Sequence, residues 1–297
     1  MRQAFALIAA FVLALNPAQA QESKPLAGHI WGVSEERFVA FQGMLAGIQD
    51  KPYILVGERH GRHAHQGREA FLVGALAEAG RYPSIAFEML SHEQTETVAS
   101  YRQTSPEYAL GLGLALDWAD SNWPSWAYYQ PVFDAAFTTK ADIIGADLTD
   151  AEQQSVLTGQ NDTHKADASF EYYEAQMTQA HCGLIEDARA RDLARLQTAR
   201  DQKMAEVLSA EKHPEHGSLL IVGASHVRKS TGIPTHLPPG EVAVIVLIET
   251  DAASSNFLTP FQDIVAGDLT DYDYIWFTPR VVETSFCDRL GQSGASE

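Results

Sequence analysis

Six short apolar runs limit what this chain can fold into: Tyr53–Val56, Ser84–Phe87, Asp142–Gly145, Leu219–Val222, Val242–Ile248 and Tyr274–Phe277. Each has strand length, and a helix-like stretch follows, which is the pattern of strands buried on both faces. Between the first two, Phe71, Leu72, Ala75, Leu76 and Ala79 fall at helical spacing within Arg68–Ala79, and Gly80 is placed to end the helix. The alternation predicts an α/β fold, with a parallel or mostly parallel sheet flanked by helices. Residues from about 150 to 212 are mostly helical in pattern, too long for one crossover, and predict a helical insertion between the third and fourth strands. Ser34, followed by Glu35 and Glu36, predicts a capped helix ahead of the first strand. With 45% apolar and 20% charged residues, and with no repeat or low-complexity linker, one domain over 21–290 is expected, followed by a disordered tail over 291–297.

Residues 1–20 read as a signal peptide. Arg2 supplies the positive start, Ala4 to Leu15 an unbroken apolar run, and Ala18-Gln19-Ala20 the small-x-small cleavage pattern. The run falls short of the ~20 residues a membrane span needs. No cysteine stands at the cleavage point to carry a lipid anchor. A soluble bacterial protein, periplasmic or secreted and beginning near Gln21, is the expectation. An oxidising compartment makes a disulfide between Cys182 and Cys287 reasonable, the alternative being two buried thiols. The formal charge of −18 repels phosphate backbones, so no nucleic-acid partner is expected.

Ligands of open parallel sheets bind beyond the carboxyl ends of the strands. Here those ends carry Glu58, Arg59, His60, His63 and His65 after the first strand, then Glu88, Asp147, His226 with Arg228, Glu249 and Arg280 after the others. His60 and His226 each close a Gly-x-x-His motif, in which glycine permits a tight turn and leaves room for a ligand. Any one of these has a plainer explanation. A histidine can sit in the core bonded to backbone, Glu58, Glu88 or Asp147 can cap a helix, and His63 and His65 can face solvent. Concentration on one rim is the functional signal. Imidazole with carboxylate suits a divalent transition metal, a haem environment or acid–base chemistry.

Several classes drop out. The histidine spacing is not that of a metalloprotease helix, and Gly223-Ala224-Ser225-His226-Val227 fails the nucleophile elbow at its last position. No phosphate loop, dinucleotide fingerprint or Cys-x-x-Cys-His haem attachment is present. Two aromatic groups remain. Trp126, Tyr129 and Phe133 share a helix face in a stretch with Trp118, Trp123 and Tyr128, which suits docking onto the sheet or walling a flat ligand. Tyr172 and Tyr173 lie upstream of His181-Cys182, and a tyrosine oxygen is an axial ligand for ferric haem, although most such tyrosines only pack.

The residues that carry a resemblance are Leu55-Val56-Gly57-Glu58-Arg59-His60 with His65 and Gln66, Ala86-Phe87-Glu88-Met89, Tyr129-Gln130-Pro131 and Ile144-Gly145-Ala146-Asp147-Leu148. His181-Cys182, the Arg200-Asp201 to Met204-Ala205 stretch, Gly223-Ala224-Ser225-His226-Val227-Arg228 and Tyr274-Ile275-Trp276-Phe277-Thr278 continue it in order along the chain. They resemble the ChaN-like haem-binding uptake proteins of the Tiki superfamily. That resemblance implies an α/β fold and haem binding in iron acquisition, the iron held by tyrosine and paired haems stacked between two protomers of a homodimer. It points to Tyr172, with Tyr173 beside it, as the haem site. The wider superfamily implies an alternative, a metal-dependent hydrolase or protease in which Glu58 and Glu88 are catalytic. There Glu58, His60, His65, Glu88, His226 and Arg228 form a metal or rim pocket holding a divalent transition metal. Two departures stand out: Gly61 replaces a frequent aspartate, and no lipid anchor is present.

Overall fold

In the computed structural model, which describes residues 26–159, 167–250, 268–281 and 287, all six apolar runs are strands. The leader (1–20) and the tail (291–297) lie outside the described residues. Element order is β1 (Ile30–Gly32), β2 (Arg37–Val39), α1 (Phe41–Ile48), β3 (Tyr53–Glu58), α2 (His63–Glu78) and β4 (Ser84–Ser91). Next come α3 (Gln94–Thr104), α4 (Leu112–Ala115), α5 (Trp126–Thr138) and β5 (Ile143–Asp147). The expected insertion follows as α6 (Asp150–Leu157), α7 (Ala168–Ala180) and α8 (Asp187–Glu211), and the sheet resumes with β6 (Ser218–Gly223), β7 (Val242–Thr250) and β8 (Tyr274–Pro279). The sheet order is β2-β1-β8-β7-β3-β6-β4-β5. The strands from β8 to β5 are mutually parallel, and β1 joins β8 and β2 antiparallel at one edge.

Both faces of the parallel part are covered, which is why its strands read as continuous apolar runs. Alternation along each strand divides them between two cores. Ile54, Val56, Ile85, Phe87, Leu219 and Ile221 face the layer of α2 and α5, where Phe133 stacks on Phe87 with ring centroids 4.1 Å apart. Tyr53, Leu55, Ala86, Leu220 and Val222 face α8 through Met204, Ala205 and Leu208.

The N-terminal segment corrects one expectation. Ser34 caps no helix: its hydroxyl bonds the neighbouring Glu35 carboxylate, and Glu36 takes a left-handed φ of 49° in the turn between β1 and β2. The helix starts later, at α1, with Ala40 at its N-cap. Cys182 and Cys287 are joined as a disulfide, with Cα atoms 5.6 Å apart, tying the residues after α7 to the chain beyond β8. No helix among the described residues is long and apolar enough to cross a membrane.

Candidate functional site

Three neighbouring strands, β3, β6 and β4, bring the rim residues together. Glu58 ends β3 opposite Gly223, the last residue of β6. Glu88 does not follow its strand as expected but lies inside β4, just past the last pairing with β6 (Phe87 with Ile221) and within a register irregularity. By alternation Glu58 shares the face of Ile54 and Val56, toward α2 and α5, whereas Glu88 shares that of Ala86, toward α8. The two carboxylates therefore take different partners. Glu58 accepts from the Tyr129 hydroxyl of α5 (3.0 Å) and from the Gln66 amide of α2, and lies 2.7 Å from His60 Nδ1. Glu88 accepts from Arg200 of α8 (2.7 Å) and from the Gly223 N–H (2.6 Å).

Both Gly-x-x-His motifs meet at Glu88. His60 Nε2 lies 3.4 Å from one Glu88 oxygen and His226 Nε2 3.5 Å from the other. Behind each ring a second carboxylate holds Nδ1: Glu58 for His60, and Asp201 of α8 (2.5 Å) for His226. The glycines have a steric role at this crossing. A Cβ at Gly223 would stand 2.9 Å from His60 Nε2, and one at Gly57 would stand 2.5 Å from the Val227 side chain. Trp123 lies edge-on to His60 with centroids 5.0 Å apart. His60 has 29% of its side chain exposed, while Glu58, Glu88, Asp201 and His226 are buried, so its ring is the solvent-facing end of the cluster.

The electrostatics follow from this burial. Burial favours neutral Glu88, but the Arg200 cation, His226, His60 and the Gly223 N–H overcome it and hold the pKa at about 2. Burial also opposes protonation of His60, yet the Glu88 and Glu58 carboxylates outweigh it and raise the pKa. Asp201 is raised by burial, with His226 and Tyr173 partly opposing. Arg200 also forks onto Asp147, with Nε 3.0 Å and Nη2 2.7 Å from its oxygens.

Several predicted site residues take other roles. His65 is a core histidine: its Nδ1 accepts from the Arg59 N–H (2.9 Å), so Nε2 carries the proton and donates to the Thr278 hydroxyl (2.9 Å). Burial pulls its pKa down from 6.5 to about 4. A depressed histidine stabilises the fold fully above pH 6.5, and that contribution is lost as the pH falls toward 4. His65→Phe removes the acceptor of the Arg59 N–H and one of the two bonds of the Thr278 hydroxyl, which keeps the Ile248 carbonyl, and is expected to cost about 1–2 kcal/mol in urea denaturation at neutral pH. An unchanged midpoint would rule out this bonding role. Asp147 caps no helix; Thr149 does, in a reciprocal capping box with Glu152. Arg228 pairs with Asp271 at 2.7 Å and stacks over the Tyr172 ring at 4.5 Å. Tyr173 is fully buried, its hydroxyl donating to Asp201 (2.6 Å), so it presents no oxygen to a ligand. Tyr172 beside it is half-buried, with ring centroids 5.2 Å apart. Glu249 receives Arg59 (3.0 Å) and Arg62 (3.4 Å).

Arg200, Asp201, Tyr129 and Glu69 were not singled out as site residues from sequence. One signal was available. Ala190, Ala194, Thr198, Asp201, Ala205 and Leu208 form the buried stripe of α8, so an aspartate stands where an apolar residue belongs.

The profile of a family described as haem-binding uptake, Tiki superfamily, ChaN matches residues 44–237 of this chain. No curated protein sequence matches. Among solved structures, ChaN of Campylobacter jejuni, described for cofacial heme binding, superposes with a TM-score of 0.68 at 23% identity, covering 83% of this chain and 95% of that one. A histidine mutant of erythromycin esterase EreC in its open conformation superposes with a TM-score of 0.50 at 12% identity, covering 88% and 99%. The type III effector HopBA1 gives 0.48 at 17%, covering 87% and 97%. The likeness to the Campylobacter structure establishes the shared α/β fold, while the profile spans both Gly-x-x-His motifs, Glu88 and the whole helical insertion. The chain belongs to the ChaN family of haem-binding uptake proteins in the Tiki superfamily.

Proposed function

We propose that this protein binds haem for haem or iron uptake outside the cytoplasm, with the Tyr172 oxygen as the iron ligand. The observation that carries this reading is the contrast between two adjacent tyrosines. Tyr173 is bonded inward to Asp201, whereas Tyr172 is half-buried, with the Arg228 guanidinium over its ring and bonded to its hydroxyl. A phenol must lose its proton to bind ferric iron. Burial raises the Tyr172 pKa, and the Arg228 cation, hydrogen-bonded to the phenol, opposes that rise, so the iron itself would have to displace the proton. Haem bound there would be held through the Tyr172 oxygen and would supply the iron to be carried. The leader read in residues 1–20 supports export, and the cofacial haems named for the Campylobacter protein support a homodimer. Titration of the leaderless protein with haemin is expected to give a saturable Soret band of fixed stoichiometry. An absorbance that rises linearly, as for free haemin, would refute the reading.

One observation favours a second reading, a hydrolase: the exposed edge of His60 is backed at Nδ1 by buried Glu58, the arrangement of a general base. His60 Nε2 would take a proton from water as the water oxygen attacks an ester carbonyl, and would return it to the alcohol oxygen as the acyl C–O bond breaks. A metal does not fit this donor set, because the Arg200 guanidinium already bridges Glu88 and Asp147 where a cation would sit. Among the described residues no group of three His, Cys, Asp or Glu side chains is disposed to hold a metal ion. Ester hydrolysis that falls about 100-fold in His60→Gln is the expected outcome on this reading. Equal rates for the two chains would dismiss it.

A further inference from the structure

Helix α2 directs a third carboxyl group into the cluster. Glu69, three residues after Gln66 on the same helix face, is fully buried. No N–H or O–H donor reaches either of its oxygens, and Gln66 Oε1 is likewise buried without a donor. The Glu69 carboxyl meets Glu58 instead. Two carboxylates are both acceptors, so a hydrogen bond between them requires a proton on one. Glu58 already receives Tyr129 and Gln66 and lies against His60, whereas no donor reaches Glu69, so the bonding pattern places the shared proton on Glu69.

We infer that Glu69 is held as a neutral carboxylic acid at neutral pH, donating its proton to Glu58 and acting as a positioning residue for the Glu58–His60 pair. Burial and the Glu58 charge both push the Glu69 pKa well above the ordinary value, in the same direction as the bonding argument. The titratable groups facing the pair are Tyr129 from α5, His60 from the segment after β3 and His65 from α2. Burial, Glu58 and Glu69 keep the Tyr129 phenol protonated, so it serves Glu58 only as a donor. The Glu58–Glu69 pair then carries one negative charge rather than two, with Glu58 bonded by Tyr129, Gln66 and Glu69. The inference concerns the resting site and does not depend on haem or on turnover.

Carbon-13 NMR of protein labelled at the glutamate carboxyl carbons tests it. One glutamate signal is expected to stand at the carboxylic-acid position at pH 7, where ordinary glutamates are ionised, and to vanish in Glu69→Gln. The His60 titration is expected to be the same in that variant as in the wild type, because an amide replaces a neutral acid. If every glutamate signal has moved to the carboxylate position by pH 7, the inference is wrong. It is also wrong if Glu69→Gln lowers the His60 pKa, which would mean that an anion had been removed. Should the variant not fold, the wild-type titration decides alone.

Discussion

Arg200→Met is expected to destabilise the protein by about 3–5 kcal/mol, the usual cost of removing one partner from a buried ion pair. The side chain is 11% exposed and serves two carboxylates from different strands, Glu88 of β4 and Asp147 of β5. Without it, both remain buried with reduced compensation. Chemical denaturation at pH 7 measures the loss, and a change below 1 kcal/mol would mean that water already screens the pair. The wild-type acid profile provides a linked check. Because the Glu88 pKa falls from 4.5 to about 2 on folding, ionised Glu88 contributes stability above pH 4.5, and that contribution is lost as the pH falls toward 2. A shift of that size amounts to roughly 3 kcal/mol. Arg200→Met removes the largest cause of the depression, so its stability is expected to decline less across that window.

Tyr172→Phe is expected to weaken haemin binding about 100-fold, near 2.8 kcal/mol, while leaving the fold intact. The substitution removes one oxygen at a half-buried surface position and keeps the ring that stacks under Arg228. Tyr173→Phe is the control. It removes a buried hydroxyl bonded to Asp201 and should lower stability by about 1–2 kcal/mol without changing the Soret spectrum of bound haem. If Tyr173→Phe alters the spectrum and Tyr172→Phe does not, the assignment of the ligand is reversed.

The six parallel strands were readable because burial on two faces leaves an uninterrupted apolar run, and the helical insertion because its pattern outlasts any single crossover. The edge strands β1 and β2, three residues each, leave no such trace. Ser34-Glu35-Glu36 has the composition of a helix start, but pairing of β1 with β8 overrides that local preference and makes it a turn. Within the site, His60 and His226 were legible because glycine-containing strand ends mark a rim, and Glu88 because it is a lone carboxylate closing an apolar run. His65 looked similar, and its burial depends on Thr278, more than 200 residues away. Arg200 and Asp201 belong to α8, whose register against the sheet follows from long-range packing. Tyr129 was read by its ring alone, and the hydroxyl bond to Glu58 depends on how α5 meets β3.

The most direct measurement is resonance Raman spectroscopy of the ferric haem complex. A phenolate–iron signature that disappears in Tyr172→Phe is the predicted result. A spectrum of histidine-ligated haem that is indifferent to Tyr172 and lost in His60→Gln would contradict the account, because it would place the iron on the rim.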